Sequence, residues 1–185
     1  KVGFANDVEV LTELRKHTNA IFRVDANAGW TLEEALLKIP ILKTLGLEFV
    51  EQPLAKDAWD DMKVLKEKSS LPLIADESCV GESDVEKCVN HFDGINIKLT
   101  KCSGITPARR MITKARELNL KVMIGCMNES SVGTAAIAQL APLLDYVDMD
   151  GPLLLNEDIA EGVTFNQGKI CYTDYAGLGI KLKQY

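Results

Sequence analysis

The chain has few residues suited to histidine chemistry or to soft-metal binding. Histidine occurs only twice in 185 residues, as His17 and His91, and we expect both to be structural. The five cysteines are odd in number and include no C-x-x-C pair: Cys79, Cys88, Cys102, Cys126 and Cys171. These features argue against a Ser-His-Asp triad, a disulfide scaffold and a zinc site. They predict free thiols in a reducing, cytoplasmic compartment.

Long apolar runs and an excess of basic residues are also missing. No apolar stretch approaches the ~20 residues of a membrane span, so we expect no membrane partner. The net charge of −6 argues against nucleic acid as the main partner. With 46% hydrophobic and 26% charged residues, the chain can form one globular domain with a real core, and a homo-oligomer is compatible with this composition.

Short apolar runs alternate with amphipathic stretches along most of the chain. The apolar runs predict strands at 21–26, 47–50, 73–75, 94–99, 121–124 and 146–147. The stretches between them predict helices at 6–16, 31–45, 57–68, 106–118 and 132–140. Asn6 with Glu9 and Thr31 with Glu34 match the pattern of helix capping boxes. The strands are continuously apolar, which is typical of parallel strands buried on both faces.

A charged residue closes each of these runs at a regular interval. These residues are Lys1, Asp25, Glu51, Asp76, Lys98 and Asp148. They are separated by 24, 26, 25, 22 and 50 residues, and the last interval equals two units of 25. The fold class is therefore α/β, and the spacing predicts a TIM-like (β/α) barrel that is incomplete in this chain, with strands 2–8 in residues 1–151. From residue 152 the pattern changes to glycine-rich, short β-like runs, and we expect the tail 152–185 to lead away from the barrel.

Three of the charged residues are carboxylates on consecutive strands. In a barrel the carboxyl ends of the strands meet on one open face, so Asp25, Glu51 and Asp76 should lie close together. Each one alone could be an ordinary loop-start residue. Together they are like charges that need a cation between them, and oxygen ligands suit Mg²⁺, with Mn²⁺ as an alternative. Asn27 and Glu77 are candidates to orient these ligands.

A lysine occupies the end of the strand that follows the third carboxylate. Lys98 lies in Ile95-Asn96-Ile97-Lys98-Leu99, where a buried lysine is unusual unless it is paired or functional. Burial and a nearby dication should lower its pKa and make it a competent general base. The alternative is that Lys98 only neutralises the carboxylates. Lys101, expected in the following loop, is a weaker candidate for the base.

Two further acidic residues end the last predicted strand. Asp148 and Asp150, in Asp148-Met149-Asp150-Gly151, could bind a substrate ammonium group, or they could be ordinary turn residues. The segment 125–130 could line the same site.

The ordered motifs resemble those of the enolase superfamily, muconate-lactonizing subgroup. They are Lys1-Val2-Gly3, Asp25-Ala26-Asn27, Glu51-Gln52-Pro53, Asp76-Glu77-Ser78 and Lys98-Leu99-Thr100-Lys101. The resemblance implies a modified (β/α)7β barrel, a second base at Lys1, and a missing α+β capping domain that the tail 152–185 rejoins. Within the subgroup, the Gly125-Cys126-Met127 segment and the Asp148/Asp150 pair are most like dipeptide epimerases of the L-Ala-D/L-Glu type.

The resemblance therefore implies an isomerase that epimerises dipeptides in the presence of Mg²⁺. A 1,1-proton transfer would proceed through a metal-stabilised enediolate between Lys1 and Lys98, and Asp148 and Asp150 would hold the α-ammonium group. Another enzyme of the subgroup is an alternative: a cycloisomerase, an o-succinylbenzoate synthase or an N-acylamino acid racemase. A barrel that binds metal without catalysis is a second alternative.

Overall fold

Six parallel strands form one sheet in the computed structural model, which describes residues 1–184. The strands follow chain order across the sheet: β1 (Phe22–Asp25), β2 (Leu47–Glu51), β3 (Leu73–Ala75), β4 (Gly94–Ile97), β5 (Lys121–Ile124) and β6 (Tyr146–Val147). All six lie where the apolar runs predict them. Sequential order with parallel pairing is what repeated right-handed βαβ crossovers produce.

Helices connect the strands and cover one face of the sheet. They are α1 (Asp7–Arg15), α2 (Leu32–Thr44), α3 (Trp59–Lys68), α4 (Leu99–Cys102), α5 (Ile105–Glu117) and α6 (Ser131–Leu140), and two 3-10 segments replace a helix between β3 and β4. The short α4 was not predicted. Within residues 1–184, no helix is long and apolar enough to cross a membrane.

One of the two predicted capping boxes is present. The Thr31 hydroxyl accepts from the Glu34 amide at 3.2 Å, and the Glu34 carboxylate accepts from the Thr31 amide at 2.8 Å. The box at Asn6 is wrong, because the Asn6 side chain makes no cap hydrogen bond. The carboxylate of Asp7, the first residue of α1, instead accepts hydrogen bonds from backbone amides that precede the helix.

The sheet is curled so strongly that its two edges face each other. The rings of Phe49 on β2 and Tyr146 on β6 are 4.8 Å apart between centroids. Arg23 on β1 lies 4.9 Å from the Tyr146 ring centre. Contacts between the first and last strands of a six-stranded sheet require a curved, half-closed barrel, so the incomplete barrel is confirmed as a parallel half-barrel.

The C-terminal tail packs against α6. Tyr172 donates to the Ala138 carbonyl at 2.8 Å, and Val163 is buried in the main core. The tail forms two small antiparallel pairs from β7 (Ala160–Glu161), β8 (Thr164–Asn166), β9 (Lys169–Cys171) and β10 (Lys181–Leu182). Part of the tail therefore lies against the barrel, and the expectation that residues 152–185 lead away from it stays a prediction. Apolar residues such as Val163 give this segment a face to bury on the barrel.

A buried carboxylate anchors the start of the chain. Asp7 is only 3% exposed, and it accepts hydrogen bonds from the amides of Gly3 and Phe4, the Trp30 indole and the Lys38 ammonium. Burial alone would raise the pKa of Asp7, but the hydrogen bonds from Trp30, Phe4, Lys38 and Gly3 outweigh it and hold the pKa below its ordinary value. Asp7 is therefore ionised throughout the neutral range.

Replacing Asp7 by asparagine should destabilise the protein in a pH-dependent way. The free energy of unfolding at pH 7 should fall by about 1–3 kcal/mol, because an amide cannot accept all four hydrogen bonds. A group whose folded pKa is depressed adds stability above its unfolded pKa of about 4, and that stability is lost as the pH falls through the folded pKa. The difference from wild type should therefore shrink in acid.

Urea unfolding at several pH values measures this difference. The matched control is Asp174→Asn at an exposed aspartate of the tail, which should change little at any pH. A loss of stability in Asp7→Asn that is the same at pH 3 and pH 7 would contradict the assignment.

Candidate active site

Three carboxylates converge at the carboxyl end of the sheet. Asp25 and Glu51 end β1 and β2 as register partners, and Asp76 directly follows β3. One oxygen from each lies within 4.8 Å of the other two, and all three residues are buried. The parallel register thus brings together three residues that are about 25 positions apart in the sequence.

The central carboxylate, Glu51, has a raised pKa. Burial raises the pKa of Glu51 to about 7, and the neighbouring charge of Asp25 adds to the shift. Asn96, from β4, donates to Glu51 at 2.6 Å and opposes it in part. Burial is the main cause of the shift, and the neighbouring charges of Asp25 and Asp76 add to it.

Lysines lie on both flanks of the carboxylate cluster. Lys1 forms an ion pair with Asp25 on the β1 side. Lys98 forms one with Asp76 on the opposite side, with 2.6 Å between Nζ and Oδ2, and Lys101 reaches the other Asp76 oxygen at 2.8 Å. Glu51 lies between the two pairs, so Lys1 and Lys98 occupy opposite ends of the cluster.

Lys98 lies just beyond the strand in which the sequence predicts it. Strand β4 ends at Ile97, and Lys98 is the N-cap residue of α4, whose third residue is Lys101. Burial lowers the pKa of Lys98, but the hydrogen bond and charge of Asp76, with the charges of Glu51 and Asp25, raise it overall. The predicted lowering of the pKa includes a nearby dication and stays a prediction; among the protein groups alone, the carboxylates outweigh desolvation.

Neutral amide side chains hold the acidic residues in place, through the backbone at Asp76 and through the carboxylate at Asp25. Gln52 is fully buried; its side-chain oxygen accepts from the Asp76 amide at 2.9 Å, and its nitrogen donates to Ser78 at 2.9 Å. Asn27 donates to Asp25 at 3.1 Å and approaches Glu77 at 3.4 Å. The predicted neighbours Asn27 and Glu77 thus lie at the site.

Sequence reasoning missed Gln52 and Asn96. Asn96 could have been found, because it lies two residues before Lys98 in an extended run and should face the same side. Gln52 has no such periodicity, since its backbone turns to a positive φ of 34° directly after β2. Both histidines lie outside the cluster, with His17 paired to Glu13 and His91 bonded to backbone carbonyls.

The last strand brings a second acidic pair to the same face. Asp148 follows β6, and Asp150 accepts from the Cys126 thiol, with 3.4 Å between Sγ and Oδ1. Removal from bulk water and the charge of Asp150 raise the pKa of Asp148. The predicted segment 125–130 contributes Cys126, Met127 and Asn128 to this region.

A cavity of about 320 Å³ joins these groups. It is lined by Lys1, Asp25, Glu51, Lys98, Cys126 and Asp148, among others. An adjoining opening is lined by Asp76, Lys101 and Asp150 and shares Lys1, Lys98, Cys126 and Asp148 with it. All seven predicted site residues therefore lie around one connected space.

Gly125 forms part of the wall beside Asn96. A Cβ atom at position 125 would lie 2.7 Å from Nδ2 of Asn96, closer than real Cβ contacts. The absence of a side chain here leaves room for the Asn96 amide to reach Glu51.

The donor set suits a hard divalent cation. Asp25, Glu51 and Asp76 offer only oxygen atoms, which Mg²⁺ prefers, and one oxygen from each lies within 4.8 Å of the other two. The second acidic group, Cys126 with Asp148 and Asp150, includes a thiol and is less suited to Mg²⁺.

Known proteins match the chain over its whole length. Residues 1–185 match the family described as Enolase C-terminal domain-like. The L-Ala-D/L-amino acid epimerase of a Maribacter species is 58% identical over 185 residues, which cover 100% of this chain and 55% of that protein.

Solved structures of epimerases are also similar to this chain. The substrate-liganded L-Ala-D/L-Glu epimerase from Bacillus subtilis has a TM-score of 0.92 and 33% identity, covering 97% of this chain and 54% of that one. The dipeptide epimerase from Cytophaga hutchinsonii, complexed with Mg and D-Ala-L-Val, has a TM-score of 0.93 and 30% identity, covering 100% of this chain and 53% of that one. The chain spans about half the length of these relatives. It belongs to the Enolase C-terminal domain-like family.

Proposed function

We propose that this chain carries most of the active site of a Mg²⁺-dependent dipeptide epimerase that works by 1,1-proton transfer. One observation carries the proposal: Lys1 and Lys98 pair with opposite ends of a buried carboxylate cluster that opens into the same space as Asp148 and Asp150. The relatives named as epimerases support the reaction class.

Asp25, Glu51 and Asp76 would hold the metal ion, with Asn96 and Asn27 fixing the orientation of Glu51 and Asp25. A bound Mg²⁺ would supply positive charge that offsets the carboxylates and withdraws electron density from the substrate carboxylate, which makes the α-proton more acidic. Mn²⁺ would fit the same oxygen ligands.

Lys1 and Lys98 would remove and return the α-proton. Inversion of a carbon centre needs an acid and a base on opposite faces of the substrate. Lys98 is held by Asp76 at 2.6 Å and Lys1 by Asp25, so each ammonium group has a fixed place on its own side. Lys101 shares Asp76 and would balance its charge.

Asp148 and Asp150 would bind the α-ammonium group of a dipeptide. Two carboxylates at the edge of the cavity provide the charge that such a group requires. The rival enzymes of the subgroup act on substrates without a free ammonium group, so they leave Asp148 and Asp150 unexplained. A barrel that only binds metal could use the lysines to balance its carboxylates, but it has no use for an ammonium-binding pair at the edge of the cavity.

We further propose that residues 1–151 are the partial barrel, strands 2–8 of a (β/α)7β domain, and that 152–185 rejoin an α+β capping domain supplied by the rest of the protein. All five cysteines are free, which fits the reducing cytoplasm. A homo-oligomer remains compatible with these features.

Replacing Glu51 by glutamine should nearly abolish metal-dependent activity. The variant loses the central negative ligand while keeping its shape, so Mg²⁺ affinity should fall at least 10-fold, which is about 1.4 kcal/mol. Isothermal calorimetry with Mg²⁺ on the full-length protein measures this change. Glu48→Gln on the same strand is the control, because Glu48 pairs with Arg23 outside the cluster. Near-normal affinity in Glu51→Gln would rule out the metal assignment.

Removing either lysine should stop epimerisation, but one of the two epimers should still exchange its α-proton with solvent. With Lys98→Ala, one epimer should still exchange its α-proton with D₂O through Lys1, and Lys1→Ala should exchange the other epimer through Lys98. NMR of each variant with each epimer shows which lysine serves which epimer. The control is Lys121→Ala, which should behave as wild type because Lys121 is the first residue of β5, at the end of the sheet away from the cavity. If both lysine variants exchange the same epimer, the two-base mechanism is incorrect.

Replacing Asp150 by asparagine should weaken dipeptide binding and spare the metal. We expect KM to rise about 10-fold or more, because a charge-assisted contact to the ammonium group is lost. Mg²⁺ affinity should stay within about twofold, since Asp150 lies outside the three-carboxylate cluster. The Asp174→Asn control should have no effect. Equal turnover of a dipeptide and its N-acetylated form by the wild type would reject this role.

A further inference from the structure

We propose that Asp7, together with Trp30 and Lys38, positions Lys1 for proton transfer on one face of the substrate only. The inference rests on the proposed function and adds positioning residues to it. None of the three touches the cavity. They would act through the backbone that carries Lys1.

The hydrogen bonds to Asp7 hold two consecutive peptide groups, those that contain the amides of Gly3 and Phe4; we call this contact the grip on residues 3 and 4. The carboxylate accepts from the Gly3 amide at 3.1 Å and from the Phe4 amide at 3.0 Å. Lys38 donates both to Asp7 at 3.1 Å and to the Phe4 carbonyl at 2.8 Å. Both polar groups of Phe4 are thereby fixed, two peptide bonds away from Val2.

Trp30 is the third member of the Asp7 cluster. Its indole nitrogen donates to Asp7 at 2.7 Å, and Lys38 lies 5.2 Å from the Trp30 ring centre. Trp30 is 4% exposed, so the carboxylate is held against a rigid part of the core. The grip on residues 3 and 4 is therefore anchored to the barrel itself.

The segment between the grip and Lys1 has little freedom. Val2 donates to the Asp25 carbonyl at 2.9 Å, which ties it to the end of β1. Gly3 has a φ of 105°, and a Cβ there would come within 2.5 Å of the Ala26 carbonyl oxygen. Lys1 thus extends from a short backbone span that is held by Asp25 on one side and by Asp7 on the other.

Lys98 depends on a different support. Its carbonyl accepts from the amides of Lys101 and Cys102 at 2.9 and 3.0 Å, and its backbone continues directly from β4. No hydrogen bond or ion pair within residues 1–184 links Asp7, Trp30 or Lys38 to Lys98. Loosening the Asp7 cluster should therefore affect one base and leave the other in place.

This asymmetry predicts a defect that depends on the epimer. In Asp7→Asn, the epimer whose α-proton Lys1 removes should exchange about 10-fold more slowly or worse, because misplacement of a catalytic group by ~1 Å can cost up to about 100-fold in rate. Exchange of the epimer served by Lys98 should stay within about twofold. A purely structural role would slow both epimers together.

The experiment is α-proton exchange in D₂O, followed by NMR, on the full-length protein loaded with Mg²⁺ and supplied separately with each epimer of L-Ala-Glu. Lys1→Ala first identifies which epimer Lys1 serves. Trp30→Phe is the milder variant, since it removes one donor to Asp7 and keeps an aromatic ring; it should show the same bias at smaller size. This variant decides the matter if Asp7→Asn does not fold.

The matched control is Asp93→Asn. Asp93 also combines a lysine partner, Lys66, with a backbone amide, that of Leu73, but it lies at the opposite end of the sheet. It should lower stability without any difference between epimers. Equal slowing of both epimers in the folded Asp7 or Trp30 variant, or no slowing in either, overturns the inference. If the wild-type protein exchanges neither epimer, the proposed function itself fails, which is a separate result.

Discussion

Three carboxylates held within 4.8 Å of one another, away from water, are the constraint on which the rest of the site depends. Like charges this close repel strongly at low dielectric, and the protein answers with cationic side chains at both ends. Lys1 and Lys98 therefore balance the charge of the carboxylates. The two bases that we propose would follow from the need to hold three carboxylates together.

Rigidity comes from groups without charge. Gln52, Asn27 and Asn96 orient the three acidic residues through hydrogen bonds and add no net charge. This arrangement separates two tasks, since the amides fix geometry and the lysines balance charge. The Asp7 cluster also fixes geometry, at a greater distance from the cavity. Its carboxylate accepts from four donors, and we propose that it acts on the site only through the position of the backbone.

Much of this architecture could be predicted from the sequence. The six strands and the convergence of Asp25, Glu51 and Asp76 follow from one periodicity, because parallel strands with regular spacing bring their ends together. The pKa of Lys98 could not be predicted, since it depends on the balance between burial and three nearby charges. The docking of the tail on α6 and the Asp7 cluster depend on tertiary contacts such as Tyr172 with Ala138, which leave no local pattern.

The loop after β5 begins with a position, Gly125, where a side chain does not fit, and continues with positions where side chains are exposed. Any side chain at position 125 would push Asn96 away from Glu51, so only glycine fits there. The next residues are free of that restriction: Met127 and Asn128 are exposed and border the space that a substrate would enter. Substitutions at Met127 and Asn128 can therefore change the shape and polarity of this opening without disturbing the hydrogen bond from Asn96 to Glu51.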